Sequence, residues 1–145
     1  MDRLGKREKN NLKIALDSAI LIYYFEDIQP FSDKIESIFN DIELGNKKGL
    51  ISTIAIHEIL IKPKQKKDIQ LIARYKDELS SFPNLYIFPV TVEVAERAAG
   101  LRAKYSSLRA PDALQIATAI EAEADIFLTA DKKLRQIQEI DVFVL

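Results

Sequence analysis

Four acidic residues in this 145-residue chain stand where carboxylates can do chemistry: Asp17, Glu58, Asp112 and Asp131. Asp17 follows the apolar run Ile14-Ala15-Leu16 and precedes Ser18-Ala19-Ile20, so it sits where a buried strand emerges and a helix begins. Asp131 repeats the arrangement after Ile126-Phe127-Leu128-Thr129-Ala130. In an open parallel sheet that edge is where ligands bind, because strand ends and helix N-termini converge there. Glu58 falls one to two turns into the helix that follows a second strand, and helical side chains lean toward their own N-terminus, back to the same rim. Asp112 follows Pro111 in a helix's first turn, where the macrodipole tolerates a negative charge. Each acid alone has a structural role open to it, helix capping above all for Asp112. Together on one rim they would repel one another and be driven toward protonation unless a cation sat among them. Oxygen donors without His or Cys select hard cations, Mg²⁺ or Mn²⁺. Such a cation lowers the pKa of water and neutralises phosphoryl charge, which suits phosphodiester cleavage.

The rest of the composition removes the competing chemistries. There is no Cys, hence no disulfide, thiolate metal site or cysteine nucleophile, and the lack fits a reducing cytoplasm. The single histidine, His57, excludes paired-imidazole schemes and HExxH zinc sites; it adjoins Glu58 but points about 100° around the helix from it and is read as structural. Glycines at 5, 45, 49 and 100 permit neither phosphate-cradling motif, and no G-x-S-x-G elbow exists. Apolar runs such as Ile20 to Phe25 fall far short of the ~20 residues a membrane span needs, so a cytoplasmic protein with no membrane partner is expected.

The elements that must position the acids alternate in type. Short apolar runs predict strands at Lys13–Leu16, Gly49–Ser52, Leu85–Phe88, Asp125–Leu128 and Val142–Val144, and amphipathic stretches predict helices at Ala19–Phe25, Phe31–Leu44, Ile54–Leu60, Lys64–Leu79, Val92–Tyr105 and Pro111–Glu123. Val94, Ala98, Leu101 and Tyr105 recur at helical spacing behind Thr91, a candidate N-cap. This βα alternation predicts an α/β fold, a parallel sheet of about five strands with helices on both faces. Asp125 also borders a strand, but at its entrance and so at the opposite edge, and is set aside. Residues 1–11 are polar and aperiodic and are expected to form a flexible basic N-terminal extension; residues 12–145 are expected to form one domain. Residues 1–13 carry five basic against two acidic groups, a balance of +3 that leaves −4 of the total −1 for the remainder. An acidic body argues against non-specific nucleic-acid coating, though not against a nuclease whose bound cations meet the phosphate.

The segments Leu16-Asp17-Ser18-Ala19-Ile20, Ile51-Ser52-Thr53-Ile54-Ala55-Ile56-His57-Glu58, Leu108-Arg109-Ala110-Pro111-Asp112-Ala113-Leu114-Gln115-Ile116-Ala117-Thr118-Ala119 and Leu128-Thr129-Ala130-Asp131-Lys132-Lys133-Leu134 resemble, in order and spacing, the four motifs of PIN-domain ribonucleases, and most closely the VapC-type toxins of toxin–antitoxin systems. The resemblance implies a three-layer PIN-like fold and a pocket for Mg²⁺ or Mn²⁺ formed by Asp17, Glu58, Asp112 and Asp131, with Asp17 and Asp112 the most direct ligands. It further implies supporting hydroxyls at Ser18 and Thr129, an RNA substrate, a homodimer and a small cognate antitoxin. Ala130 stands where the family pattern often has Asn, and the long basic N-terminus is a second departure. Arg109, three residues before Asp112, and Arg102 are the candidates for phosphate contact; Lys62, Lys64, Lys66 and Lys67 are read as surface charge. The expected activity is metal-dependent endoribonuclease. Two alternatives are a PIN-like binding module without activity and a phospho-accepting receiver-type domain. The second would need an Asp ending the third strand and a Lys ending the fifth; the third ends Ile87-Phe88-Pro89 and the chain stops at Leu145, just after the fifth.

Overall fold

A computed structural model describes residues 11–145. The expected extension over residues 1–11 lies, apart from Asn11, outside the described residues. Five strands, β1 Leu12–Leu16, β2 Lys47–Ser52, β3 Leu85–Phe88, β4 Ile126–Thr129 and β5 Asp141–Val144, form one sheet in the order β3-β2-β1-β4-β5, and every pairing is parallel. Six α-helices among the described residues cover it: α1 Ser18–Phe25, α2 Phe31–Leu44, α3 Thr53–Gln65, α4 Ile69–Ser81, α5 Val92–Lys104 and α6 Ala110–Glu121. The three-layer α/β architecture expected from the alternation is the one observed. The order also rules out the receiver-type alternative, whose sheet runs 2-1-3-4-5, whereas here β1 lies between β2 and β4.

Strand periodicity divides the core in two. Ile14, Leu16, Ile51, Ile126 and Leu128 face α1–α4, while the alternate positions Ala15, Leu50 and Phe127 face α5 and α6. Both sheet faces are therefore dry, which is why the central strands read as unbroken apolar runs. Thr91 caps α5 as expected, accepting from the Val94 N–H at 3.1 Å.

Two boundaries differ from the sequence reading by more than two residues, the end of α3 and the start of α4. α3 passes through Pro63 to Gln65, although proline in a helix interior forfeits a backbone hydrogen bond. The Pro63 ring is buried, and packing offsets the missing bond. The break falls instead at Lys67, whose φ is 54°, and Asp68 then caps α4 by accepting from the Leu71 N–H at 3.1 Å. A 3₁₀ turn at Lys132–Gln136, not expected from the sequence, separates β4 from β5. Among the described residues no helix is long and apolar enough to cross a membrane.

Phe39 is fully buried in the α1–α4 core and stacks on Tyr24 with ring centroids 3.8 Å apart. Phe39→Ala is expected to lower the unfolding free energy by ~3–5 kcal/mol, measured by urea denaturation; a loss under ~1 kcal/mol contradicts this packing.

Candidate active site at the carboxyl edge of the sheet

The chain reverses its direction of travel across the sheet between β1 and β4, which places the topological switch point at the C-terminal ends of these two strands. Asp17 stands at that point. It ends β1 and opens α1, its Oδ1 accepting from the Ser18 N–H at 2.8 Å, and its Oδ2 accepts from the Thr129 hydroxyl at the end of β4 at 2.6 Å. Thr129 is fully buried, and its Oγ1 in turn accepts from the Asp131 N–H at 3.1 Å. Adjacent parallel strands thus bring residues 112 positions apart into one hydrogen-bonded unit.

Glu58 reaches the same rim from α3. Its Oε1 accepts from the Ser18 hydroxyl at 3.1 Å and from Gln115 Nε2 at 2.7 Å. Asp112, in the first turn of α6, is buried, yet no side chain caps this helix and its Oδ2 instead accepts from Arg109 Nε at 3.2 Å. The capping role open to it in the sequence is not the one it plays. Asp112, Asp131, Arg109 and Lys133 line a cleft of about 290 Å³, while Glu58 lines a separate, more apolar groove of about 550 Å³. Asp131 also caps the 3₁₀ turn, accepting from the Lys133 N–H at 3.0 Å.

The rim carries more negative charge than its surroundings neutralise. Burial pushes the Asp17 carboxyl up to about 6; the bonds from Thr129 and Ser18 oppose the rise, and the charges of Asp112 and Glu58 add to it. Burial likewise raises Asp112, with Arg109 opposing and Glu58 and Asp131 adding to the rise. Arg109 is held more firmly protonated by Asp112, with smaller contributions from Glu58 and Asp131. The electrostatics therefore link all four acids foreseen in the sequence. The Arg109 side chain is 72% exposed, so solvent screens much of its effect.

Other residues fall elsewhere. Arg102 donates from Nε to the Leu108 carbonyl at 3.1 Å, bracing the loop that carries Arg109. His57 is exposed on α3, outside this network. Asp125 is paired with the main chain of Lys13 at the opposite edge, as its position before a strand implied. Gln115 is a site residue the sequence reading passed over. It lies three residues after Asp112, on the same face of α6, within an apolar stripe where a long amide has no reason to be buried unless it has partners.

Among the described residues, no three acidic or histidine side chains converge closely enough to grip a metal ion unaided. Mg²⁺ does not require that, since it keeps several waters and takes one or two carboxylates. Two buried carboxylates of raised proton affinity, within electrostatic reach of further carboxylates, fit such an ion.

An acid-lined switch point on a five-stranded parallel sheet marks an α/β protein that binds its ligand at the strand ends. The chain belongs to the PIN-domain family, whose model matches residues 14–140, a span holding all four acids. Its fold is similar to that of a chain of VapBC2 from Rickettsia felis, solved bound to a DNA fragment from its promoter, at 17% identity and a TM-score of 0.71, covering 92% of this chain and 98% of that one. It is also similar to a chain of a toxin–antitoxin complex from Klebsiella pneumoniae (23% identity, TM-score 0.68, 90% and 96% covered) and of VapBC-1 from nontypeable Haemophilus influenzae (18%, 0.69, 92% and 98%). No curated protein matches by sequence.

The raised Asp17 carboxyl has a consequence for stability. Its folded value, about 6, exceeds its ordinary 3.8, so folding favours the protonated form. That stabilisation is complete below pH ~4 and is lost as pH rises through about 6. Asp17→Asn cannot ionise and is expected to gain ~1–3 kcal/mol over the parent at pH 7 in EDTA, and little at pH 4. Urea unfolding that gives the same difference at both pH values contradicts the burial of a reluctant charge at this position.

Proposed function

We propose that the protein is a Mg²⁺- or Mn²⁺-dependent endoribonuclease, the toxin of a toxin–antitoxin pair. The observation that carries this reading is the pair of buried carboxylates, Asp17 and Asp112, sharing a rim with Glu58 and Asp131 inside the span of the PIN-domain match. Asp17 and Asp112 would hold the ion, with Glu58 and Asp131 as its further acidic neighbours. When bound, the ion supplies a Lewis acid for the phosphoryl oxygens and a water of lowered pKa. Thr129 keeps the Asp17 carboxylate turned to the rim through its 2.6 Å bond. Ser18 serves both Asp17, through its N–H, and Glu58, through its hydroxyl.

Arg109 is the side chain placed to meet a phosphate beside the ion, since it is exposed at the cleft and its fork suits phosphate geometry. Arg102 acts on the same loop from behind. In this reading the partners are RNA, a second copy of the chain and a cognate antitoxin protein, and the compartment is the cytoplasm. The antitoxin is supported by the toxin–antitoxin complexes among the structures of similar fold. The second reading, a PIN-like binding module without activity, has against it that all four acids are intact and electrostatically coupled.

Purified protein with Mn²⁺ and a mixed pool of RNA and DNA is expected to cleave RNA internally. EDTA and Asp112→Asn should each reduce the rate by at least ~10²-fold. Cleavage that survives both, or parent protein that binds Mn²⁺ and cleaves nothing, contradicts the assignment.

A further inference from the structure

We propose that Gln115 is a positioning residue that fixes Glu58 in the site while leaving its charge intact; this rests on the metal-dependent reading above. Gln115 is 3% exposed, and both ends of its amide are committed. Its Oε1 accepts from the Ser18 N–H at 3.1 Å, and its Nε2 donates to Glu58 Oε1 at 2.7 Å. The backbone N–H dictates which way the amide faces, because only the carbonyl end can meet a donor. The NH₂ end is therefore turned toward Glu58 and requires an acceptor there.

The bridge ties three helices together. Ser18 opens α1, Glu58 comes from α3 and Gln115 from α6, so the amide sets the distance between the acid that follows β1 and the acid that follows β2. Glu58 Oε1 takes a second bond from the Ser18 hydroxyl at 3.1 Å, while Oε2 has no hydrogen-bond partner among the described residues. One oxygen is thus anchored by two donors, which fixes the orientation of the carboxylate.

The choice of an amide matters. A Lys or Arg at this position would hold Glu58 as firmly but cancel its charge, as Arg109 partly does at Asp112. A neutral donor orients the carboxylate and keeps the rim electronegative. In outer-shell partners of metal sites, such support accounts for about 10–100-fold in affinity or activity.

The test uses the full chain and two variants. Gln115→Met keeps the volume and removes both bonds. Gln115→Asn keeps the amide on a stem one methylene shorter, which cannot span both partners. Each variant that folds, by circular dichroism, is expected to bind Mn²⁺ more weakly by calorimetry and to lose kcat for RNA cleavage, each by about 10-fold or more. KM for RNA should stay within about twofold. A role confined to packing would lower the melting temperature and leave the Mn²⁺ affinity and kcat at parental values. That outcome in either folded variant overturns the proposal. A parent that neither binds Mn²⁺ nor cleaves RNA overturns instead the reading of the site on which it rests, and failure of both variants to fold assigns Gln115 to stability and overturns it too.

Discussion

The constraint on which this structure depends is the crowding of like charge in a dry place. Asp17 and Asp112 are withdrawn from water, and each lies within electrostatic reach of Glu58. Burial disfavours the charged form of a carboxylate, and neighbouring carboxylates disfavour it further. A chain selected for stability alone would replace such groups with apolar residues of similar volume. Their presence at the strand ends is what the proposed divalent cation would account for, by converting the repulsion into binding.

The fold delivers these groups through its strand order. Placing β1 beside β4 puts Asp17 next to Thr129 and the turn that carries Asp131, while the crossover that follows β2 brings Glu58 in from the side. α6 then lays Asp112 and Gln115, one turn apart, across the rim. The apolar runs that make both sheet faces dry also leave the polar groups only one direction to converge, the strand ends. Support and chemistry are separated by type: hydroxyls and an amide orient the acids, and one exposed guanidinium stands at the cleft.

Much of this was legible in the amino-acid order. Strand-ending acids announce the carboxyl edge of the sheet, so Asp17 and Asp131 could be placed, and Asp125, at a strand entrance, could be set aside. Helix periodicity fixed α2 and α5 to within a residue. What escaped had a physical reason in each instance. Pro63 signals a helix end by local propensity, but its burial in the core outweighs the lost hydrogen bond. The sheet order is a property of non-local pairing that no window of sequence contains. Gln115 reads as an interruption of an apolar stripe until its two partners, 97 and 57 positions away, are in view. The contact between Arg109 and Asp112 displaces the capping role that the first turn of a helix would otherwise suggest.

The proposed function turns on whether these acids act together on one cation. Manganese(II) gives a direct measure, because its electron paramagnetic resonance signal reports the free ion and is lost on binding. Titrating Mn²⁺ into the parent and into the double variant Asp17→Asn/Asp112→Asn, both at neutral pH, should show saturable loss of signal in the parent and none in the double variant at the same concentrations. Equal uptake by the two proteins, or no uptake by either, would contradict it.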